Sequence, residues 1–304
     1  MFTLVSHTDC KVVVVVGTGL VGSATYRYLL QSGYVVSNQS KVNWSDCEAY
    51  LSICDFIKQA AMATSSTYDL VVVWSAGKLG FDASPDEIQG EQVFFESFCL
   101  NFSNMLSLLE RRATFVLLSS VGGLFEGQNL ISKTSTPAPK RPYGVLKLRQ
   151  EELARKHLHK CSLKILRLSS VFGTLKGCSR KGLIQVLILN GMQRKPSKIY
   201  GTLDTLRDYV FIDDIAQFIE HLIYQNSFGF DVFHLVSGKP SSIREIKNII
   251  ERTLCRTLEL SYSLNASNSS DITCVKESYN ARWRPGTLES NIRKIYIEWF
   301  TSND

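Results

Sequence analysis

Residues 11–22 read KVVVVVGTGLVG, the stretch that most narrows what this chain can fold into. Five consecutive valines, Val12 to Val16, run into Gly17, Gly19 and Gly22 at the spacing G-x-G-x-x-G. An unbroken β-branched run suits a strand covered on both faces, as in the middle of a parallel sheet. The residues after it, 20–30, are mostly small or apolar and read as helix. Strand, glycine turn and helix in succession are the context in which this spacing binds a dinucleotide. Gly17 permits the tight turn, Gly19 lets the backbone approach a pyrophosphate, and Gly22 lets helix pack on strand. Thr18, Leu20 and Val21 complete the turn, and the helix start offers free N–H groups and partial positive charge.

The alternation continues downstream. Residues 34–37 read as a second strand, 46–61 as a helix, and 69–74 (DLVVVW) as a third, buried strand ending at Ser75-Ala76-Gly77-Lys78. Ser84, Pro85 and Glu87 mark a helix start with a capping box. That helix is expected to run towards residue 112, with an interruption near Gly90. Residues 114–118 form a fourth strand ending at Ser119-Ser120, 142–159 a helix, and 163–168 a fifth strand. Strands alternating with helices predict an α/β fold with a doubly wound parallel sheet. Beyond Ser170 the pattern loosens, with helices expected at 213–224, 242–255 and 288–300 and a strand at 232–236. The expected division is a dinucleotide-binding domain, 1–173 plus 211–227, and a smaller substrate-binding lobe, 174–210 and 228–304.

Composition excludes other classes. The formal charge of +6 is spread out, and no Lys/Arg block suggests nucleic acid. No run approaches the roughly 18 apolar residues of a membrane span, and the first residues lack the basic start and apolar core of a signal peptide. Eight cysteines lie scattered without C-x-x-C or any metal-ligand spacing, so no metal is expected and a reduced, cytoplasmic setting is the simplest account. His221 and His234 lie in apolar surroundings and read as packed or hydrogen-bonded core residues rather than ligands. Asp213-Asp214, at a helix start, read as a cap.

The segment after the second strand bears on the cofactor. A site for NAD has an Asp or Glu there to hold the ribose 2′-OH. This chain has Asn38, Ser40 and Lys41 and no acid before Asp46. Polar groups with one cation suit a 2′-phosphate, which favours NADP, with NAD as the alternative.

Tyr143 and Lys147 form Y-x-x-x-K, a spacing that puts both on one helix face. A free phenol holds its proton too tightly to exchange it at neutral pH, and a nearby ammonium favours the phenolate. Gly17 to Gly22, Ser119-Ser120, Tyr143 and Lys147, in this order, resemble the short-chain dehydrogenase/reductase superfamily. Arg207 to Ala216 (RDYVFIDDIA) and Arg167 to Gly173 (RLSSVFG) resemble its extended branch of nucleotide-sugar epimerases, dehydratases and 4-keto reductases. The resemblance implies Tyr143 as general acid/base, Lys147 as its electrostatic partner and ribose ligand, and Ser120 as hydrogen-bond donor to the reacting oxygen. It implies cofactor contacts from Ser75, Ala76, Gly77, Lys78, Ser119 and Leu168, and substrate contacts from Lys78, Ser120, Val121, Ser170 and Arg207, the last as a diphosphate clamp. Ser170 stands where the branch usually has Asn, and the serine loop ends in a shifted Phe125-Glu126-Gly127. Dehydratases of the branch carry an acidic pair after the serine, where this chain has Val121-Gly122. The segments 37–50 and 75–80 look most like NADPH-using 4-keto sugar reductases related to GDP-fucose synthase. The implied function is 4-keto reduction of a nucleotide-linked 6-deoxyhexulose for surface polysaccharide, by a homodimer. A 4-epimerase is the alternative, and an NADP-binding sensor or scaffold a more distant one.

Overall fold

In the computed structural model, which describes residues 1–6, 8–77, 79–80, 83–173, 182–225, 228–263, 271–275 and 282–301, the chain opens on two antiparallel strands. These are β1 (Phe2–Ser6) and β2 (Lys11–Val16), and β2 is the valine run, buried along its whole length. Then come α1 (Leu20–Gln31), β3 (Val35–Gln39), α2 (Ala49–Met62), β4 (Asp69–Trp74), α3 (Pro85–Leu109) and β5 (Ala113–Ser120). A single turn, α4 (Val121–Leu124), precedes α5 (Pro142–His157) and β6 (Ser162–Leu168). The remainder comprises β7 (Ser170–Phe172), α6 (Leu183–Gln193), β8 (Ser197–Tyr200), β9 (Leu206–Arg207), β10 (Tyr209–Phe211) and α7 (Ile212–Tyr224). It ends with β11 (Phe230–Leu235), β12 (Ser241–Ser242), α8 (Ile243–Leu254), β13 (Leu260–Ser263) and α9 (Leu288–Thr301).

Seven strands form the main sheet in the order β11-β6-β5-β4-β2-β1-β3. The pairs β2–β4, β4–β5, β5–β6 and β6–β11 are parallel, so the sheet is doubly wound around β2 as the valine run implies. β1 is the departure. It lies antiparallel to both β2 and β3 and separates them. The sequence pattern predicts no strand there, although FTLVS has the apolar content of one and Leu4 and Val5 are buried. The strand expected at 232–236 is β11, and it extends the main sheet rather than standing apart with the segment 228–304.

Both faces of the sheet are covered, which is why its strands read as continuous apolar runs. On one face Trp74 and Phe115 meet Phe95, Phe98 and Phe102 of α3, with the rings of Trp74 and Phe98 4.3 Å apart. On the other, α1 and α7 pack over Val13, Val15, Val71 and Val73. A separate cluster joins α6, α8 and α9 to β7 and β10. α3 passes Gly90 without the expected interruption, and its capping box is present: Ser84 Oγ accepts from Glu87 N at 3.4 Å, and Ser84 N donates to Glu87 Oε2 at 2.9 Å. Ser84 N and Ser84 Oγ, which also donates to Glu87 Oε2 at 2.9 Å, together hold the Glu87 carboxyl below its ordinary range.

Candidate active site

The glycine turn is packed against the end of β4. Gly17 has φ +93, and a Cβ there would stand 2.6 Å from Ala76 Cα. A Cβ on Gly22 would stand 2.0 Å from Gly17 O and 2.3 Å from Ser75 Oγ. Ser75 closes this contact by donating to Val16 O at 3.0 Å and Gly17 O at 2.7 Å, so its hydroxyl serves the turn itself. Gly19 behaves differently: a Cβ on it would meet nothing within 4 Å. The middle glycine therefore faces open space at the start of α1, whose first N–H groups no side chain caps. A cradle free of side chains before a helix N-terminus fits a dinucleotide pyrophosphate. Gly17 and Thr18 share a cavity of about 620 Å³ with Ser40 and Lys41. Asn38 does not line it; its Oδ1 accepts from Gln39 N at 2.8 Å.

The two serines at the end of β5 part company, as alternate residues of a strand must. Ser119 Oγ is buried and donates to Glu151 Oε1 at 2.5 Å. Ser120 Oγ stays half-buried and accepts from Gly123 N at 3.0 Å, capping α4. Leu168 lies beside Ser120 in the sheet register. α5 begins with Pro142 at a position where its missing N–H is no loss, and carries Tyr143, Lys147 and Glu151 at i, i+4 and i+8 on one face. α4 and α5 meet through glycines. A Cβ on Gly144 would lie 2.1 Å from Gly123 O, and one on Gly123 would lie 3.2 Å from Tyr143 Cδ1. The Tyr143 ring is thus pressed on the residue that bonds Ser120.

Lys147 is buried, with Nζ 3.0 Å from Gln150 Oε1, 3.4 Å from Leu118 O and 5.9 Å from the Tyr143 ring centre. Gly77 lies beside it, a Cβ there standing 3.9 Å from Lys147 Nζ. The turn, Ser120, Tyr143 and Lys147 are therefore brought to one end of the sheet. Val121 is fully buried behind Ser120. Ser170 pairs with Tyr209 in the β7–β10 ladder, which joins directly to Arg207 on β9. Arg207 is half-buried, and burial lowers its hold on the proton, opposed by Tyr209, Asp271 and Glu126 nearby. The aspartates on either side of it in sequence are engaged elsewhere: Asp204 pairs with Arg244, and Asp208 accepts from Ser169, Ser237 and Gly238. Lys78 lies outside the described residues.

Several groups carry no signal in the sequence. Glu151 is 2 % exposed and holds Arg167 through Nε at 3.0 Å and Nη2 at 2.7 Å. It ties the helix bearing Tyr143 and Lys147 to β6. Glu126 pairs with Arg141 at 2.6 Å, one residue before Pro142. Asp213 and Asp214 sit in the first turn of α7, yet neither caps it; Asp213 pairs with Arg27 and Lys294, and Asp214 accepts from Gly286 N. Among the described residues, no cluster of three or more His, Cys, Asp or Glu could hold a metal, and no helix is long and apolar enough to cross a membrane.

A glycine-turn Rossmann sheet with a tyrosine–lysine pair at its strand ends defines an oxidoreductase-type, dinucleotide-binding class. Residues 12–238 match the model of the NAD dependent epimerase/dehydratase family, and the chain belongs to that family, whose members are enzymes of the extended short-chain dehydrogenase/reductase type. The dTDP-glucose 4,6-dehydratase 1 of Escherichia coli (strain K12) is 24 % identical over 347 residues, covering 96 % of this chain and 93 % of the relative. The UDP-glucuronate 4-epimerase of Thermodesulfobacterium geofontis (strain OPF15) is 26 % identical over 263 residues, 81 % of this chain and 77 % of the relative. Among solved structures, MoeE5 in complex with UDP-glucose and NAD superposes with a TM-score of 0.75 at 20 % identity, covering 96 % of this chain and 99 % of that one. RMD from Pseudomonas aeruginosa complexed with NADPH gives 0.73 at 16 % identity, covering 95 % and 99 %. These structural likenesses establish the fold.

Proposed function

We propose that the chain is an NADPH-dependent reductase of a nucleotide-linked 4-keto-6-deoxyhexose. One observation supports reduction over dehydration. Tyr143 and Lys147 are pinned beside Ser120, while the two residues after Ser120 are a buried valine and a glycine, with no carboxylate to drive an elimination. The sugar-nucleotide class is supported by relatives named for dTDP-glucose and UDP-glucuronate and by a neighbour that holds UDP-glucose.

A bound nicotinamide supplies hydride exchange at the strand ends. The chain's own groups do the rest. The Tyr143 hydroxyl delivers a proton to the sugar oxygen as charge develops on it, and the buried Lys147 ammonium stabilises the phenolate left behind. Ser120 donates its O–H to the same oxygen, where a hydrogen bond that strengthens with developing charge lowers the barrier. Its Oγ already accepts from Gly123, so its proton can point outward. Arg207 and Ser170, on adjoining short strands, hold the diphosphate and sugar, the guanidinium offering two parallel donors. The enzyme is taken to be cytoplasmic and dimeric, pairing through Val93, Leu100 and Leu108 of α3 and Val145 of α5, all exposed.

The test is turnover with keto sugars linked to different nucleotides. Loss of one NADPH per sugar reduced is the expected result; interconversion of two sugars without net cofactor change identifies a 4-epimerase instead. Tyr143→Phe is expected to lower kcat by about 10²- to 10⁴-fold with dinucleotide binding kept. Unchanged biological activity in that variant would indicate a sensor.

A further inference from the structure

The inserted strand β1 alters the far end of the dinucleotide site, a consequence that rests on the dinucleotide-binding role proposed for that site. In the usual arrangement the strand after the glycine helix lies next to the glycine strand, and a side chain at its end meets the adenosine ribose. Here β1 stands between them. Neighbouring strands are about 4.8 Å apart, so the end of β3 is about 10 Å from β2 instead of about 5 Å. A short carboxylate at the end of β3 would be a strand's width too far from the ribose. No such acid is present there; the chain continues with Ser40 and the exposed Lys41.

Met1, buried and bonded to Ser40, packs across the floor of the gap, and a cavity opens above it. Gly17 and Thr18 form one lip, Phe2 of β1 lines it, and Ser40 and Lys41 form the other lip, around about 620 Å³. Trp44 lines this cavity and also a second one of about 650 Å³, which it shares with Trp74, Ala76 and Gly77 beside the glycine turn. The indole is half-buried and braced by Phe94, ring centres 5.9 Å apart. One flat ring thus borders two adjoining cavities that together have room for an adenosine with a phosphate on its ribose.

We propose that Trp44 is the surface against which adenine lies and that Lys41 meets a 2′-phosphate across the widened gap. A ribose hydroxyl leaves that gap unbridged, whereas a phosphate adds both length and charge on the side where the lysine stands. Selection for the phosphorylated dinucleotide is then a property of the inserted strand, which sets the distance, as much as of the lysine.

Calorimetric titration of the full chain with adenosine 2′,5′-bisphosphate and with 5′-AMP tests this without any catalytic step. The bisphosphate is expected to bind at least about tenfold more tightly than AMP. Lys41→Ala, a change at an exposed residue, should bring the two within about twofold by weakening only the bisphosphate. Trp44→Ala should weaken both fragments alike, and Trp44→Phe should restore them. Equal affinity for the two fragments in the native chain, a preference that survives Lys41→Ala, or indifference of both to Trp44→Ala overturns the proposal. If NAD is bound as well as NADP and a keto sugar is still reduced, this proposal alone falls. If no adenosine fragment and no dinucleotide binds, the dinucleotide-binding role falls with it.

Discussion

His234, on β11, is 4 % exposed, with its ring 5.6 Å from that of Phe125 and Nε2 3.3 Å from Arg167 Nη1. Burial, and after it the charges of Arg167 and Lys133, push its pKa down to about 4. In the unfolded chain an imidazole titrates near 6.5. Between those values the unfolded state binds the proton and the native state refuses it, so stability falls as pH falls through this window. By pH 5 the loss from this one group is about 2 kcal/mol, reading about 1.4 kcal/mol for each unit of displacement. Urea unfolding at pH 7 and pH 5 should register that difference, and His234→Gln should remove it whatever the variant's own stability. The residues proposed to do the chemistry are the most legible in the sequence, because Tyr143 and Lys147 are distinctive types at helical spacing. Glu151 and Arg167 are not. A buried ion pair between a helix and a strand leaves no local pattern, since each charge reads as surface until its partner is placed.

At the level of elements, the site depends on how closely α4 approaches α5. The closest approach is glycine on glycine, Gly123 against Gly144. A methyl group on Gly144 would sit 2.1 Å from the Gly123 carbonyl, backbone that has no rotamer to yield. Gly144→Ala is expected to cost about 1–3 kcal/mol, as overpacking does, and to push Tyr143 off Ser120. The measurement is a paired one: kcat should drop at least about tenfold, while affinity for dinucleotide, whose proposed site is the turn at Gly17, holds. Equal loss of both would mean that the glycines serve the fold at large. Most helices and parallel strands can be read in advance from their alternation and caps, as with α3 and its capping box. α5 is legible by its Pro start and basic last turn, but its buried face is not: it includes Lys147, Gln150 and Glu151, where a hydrophobic stripe would be sought. The helical turn at 121–124 follows from Ser120 acting as a cap, a role that any serine at a strand end can fill.

For the whole molecule, the doubly wound sheet is legible in the alternation of strands and helices, whereas its strand order is not. β1 is short, and the bend that leads into β2 has Cys10 at φ 52, with none of the Asn-Gly or Asp-Gly pairs that announce a hairpin. β11 can be read as a strand but not as a member of this sheet, because its pairing with β6 is decided by α7 and the chain between. The hairpin also sets an order of assembly. Val5 pairs with Val12 across a handful of residues, whereas β2 meets β4 only after α1, β3 and α2 have been laid down, Val12 opposite Leu70. Hairpins close in roughly 1–10 μs, and distant parallel partners wait on long loop closure. Pulsed hydrogen exchange during refolding should find the amides of β1 and β2 protected before those of β6 and β11; simultaneous protection would show that the hairpin gains no head start. An early hairpin would present the glycines proposed to cradle phosphate on a preformed edge, so that nucleotide could act as a template while the rest of the polypeptide is still collapsing.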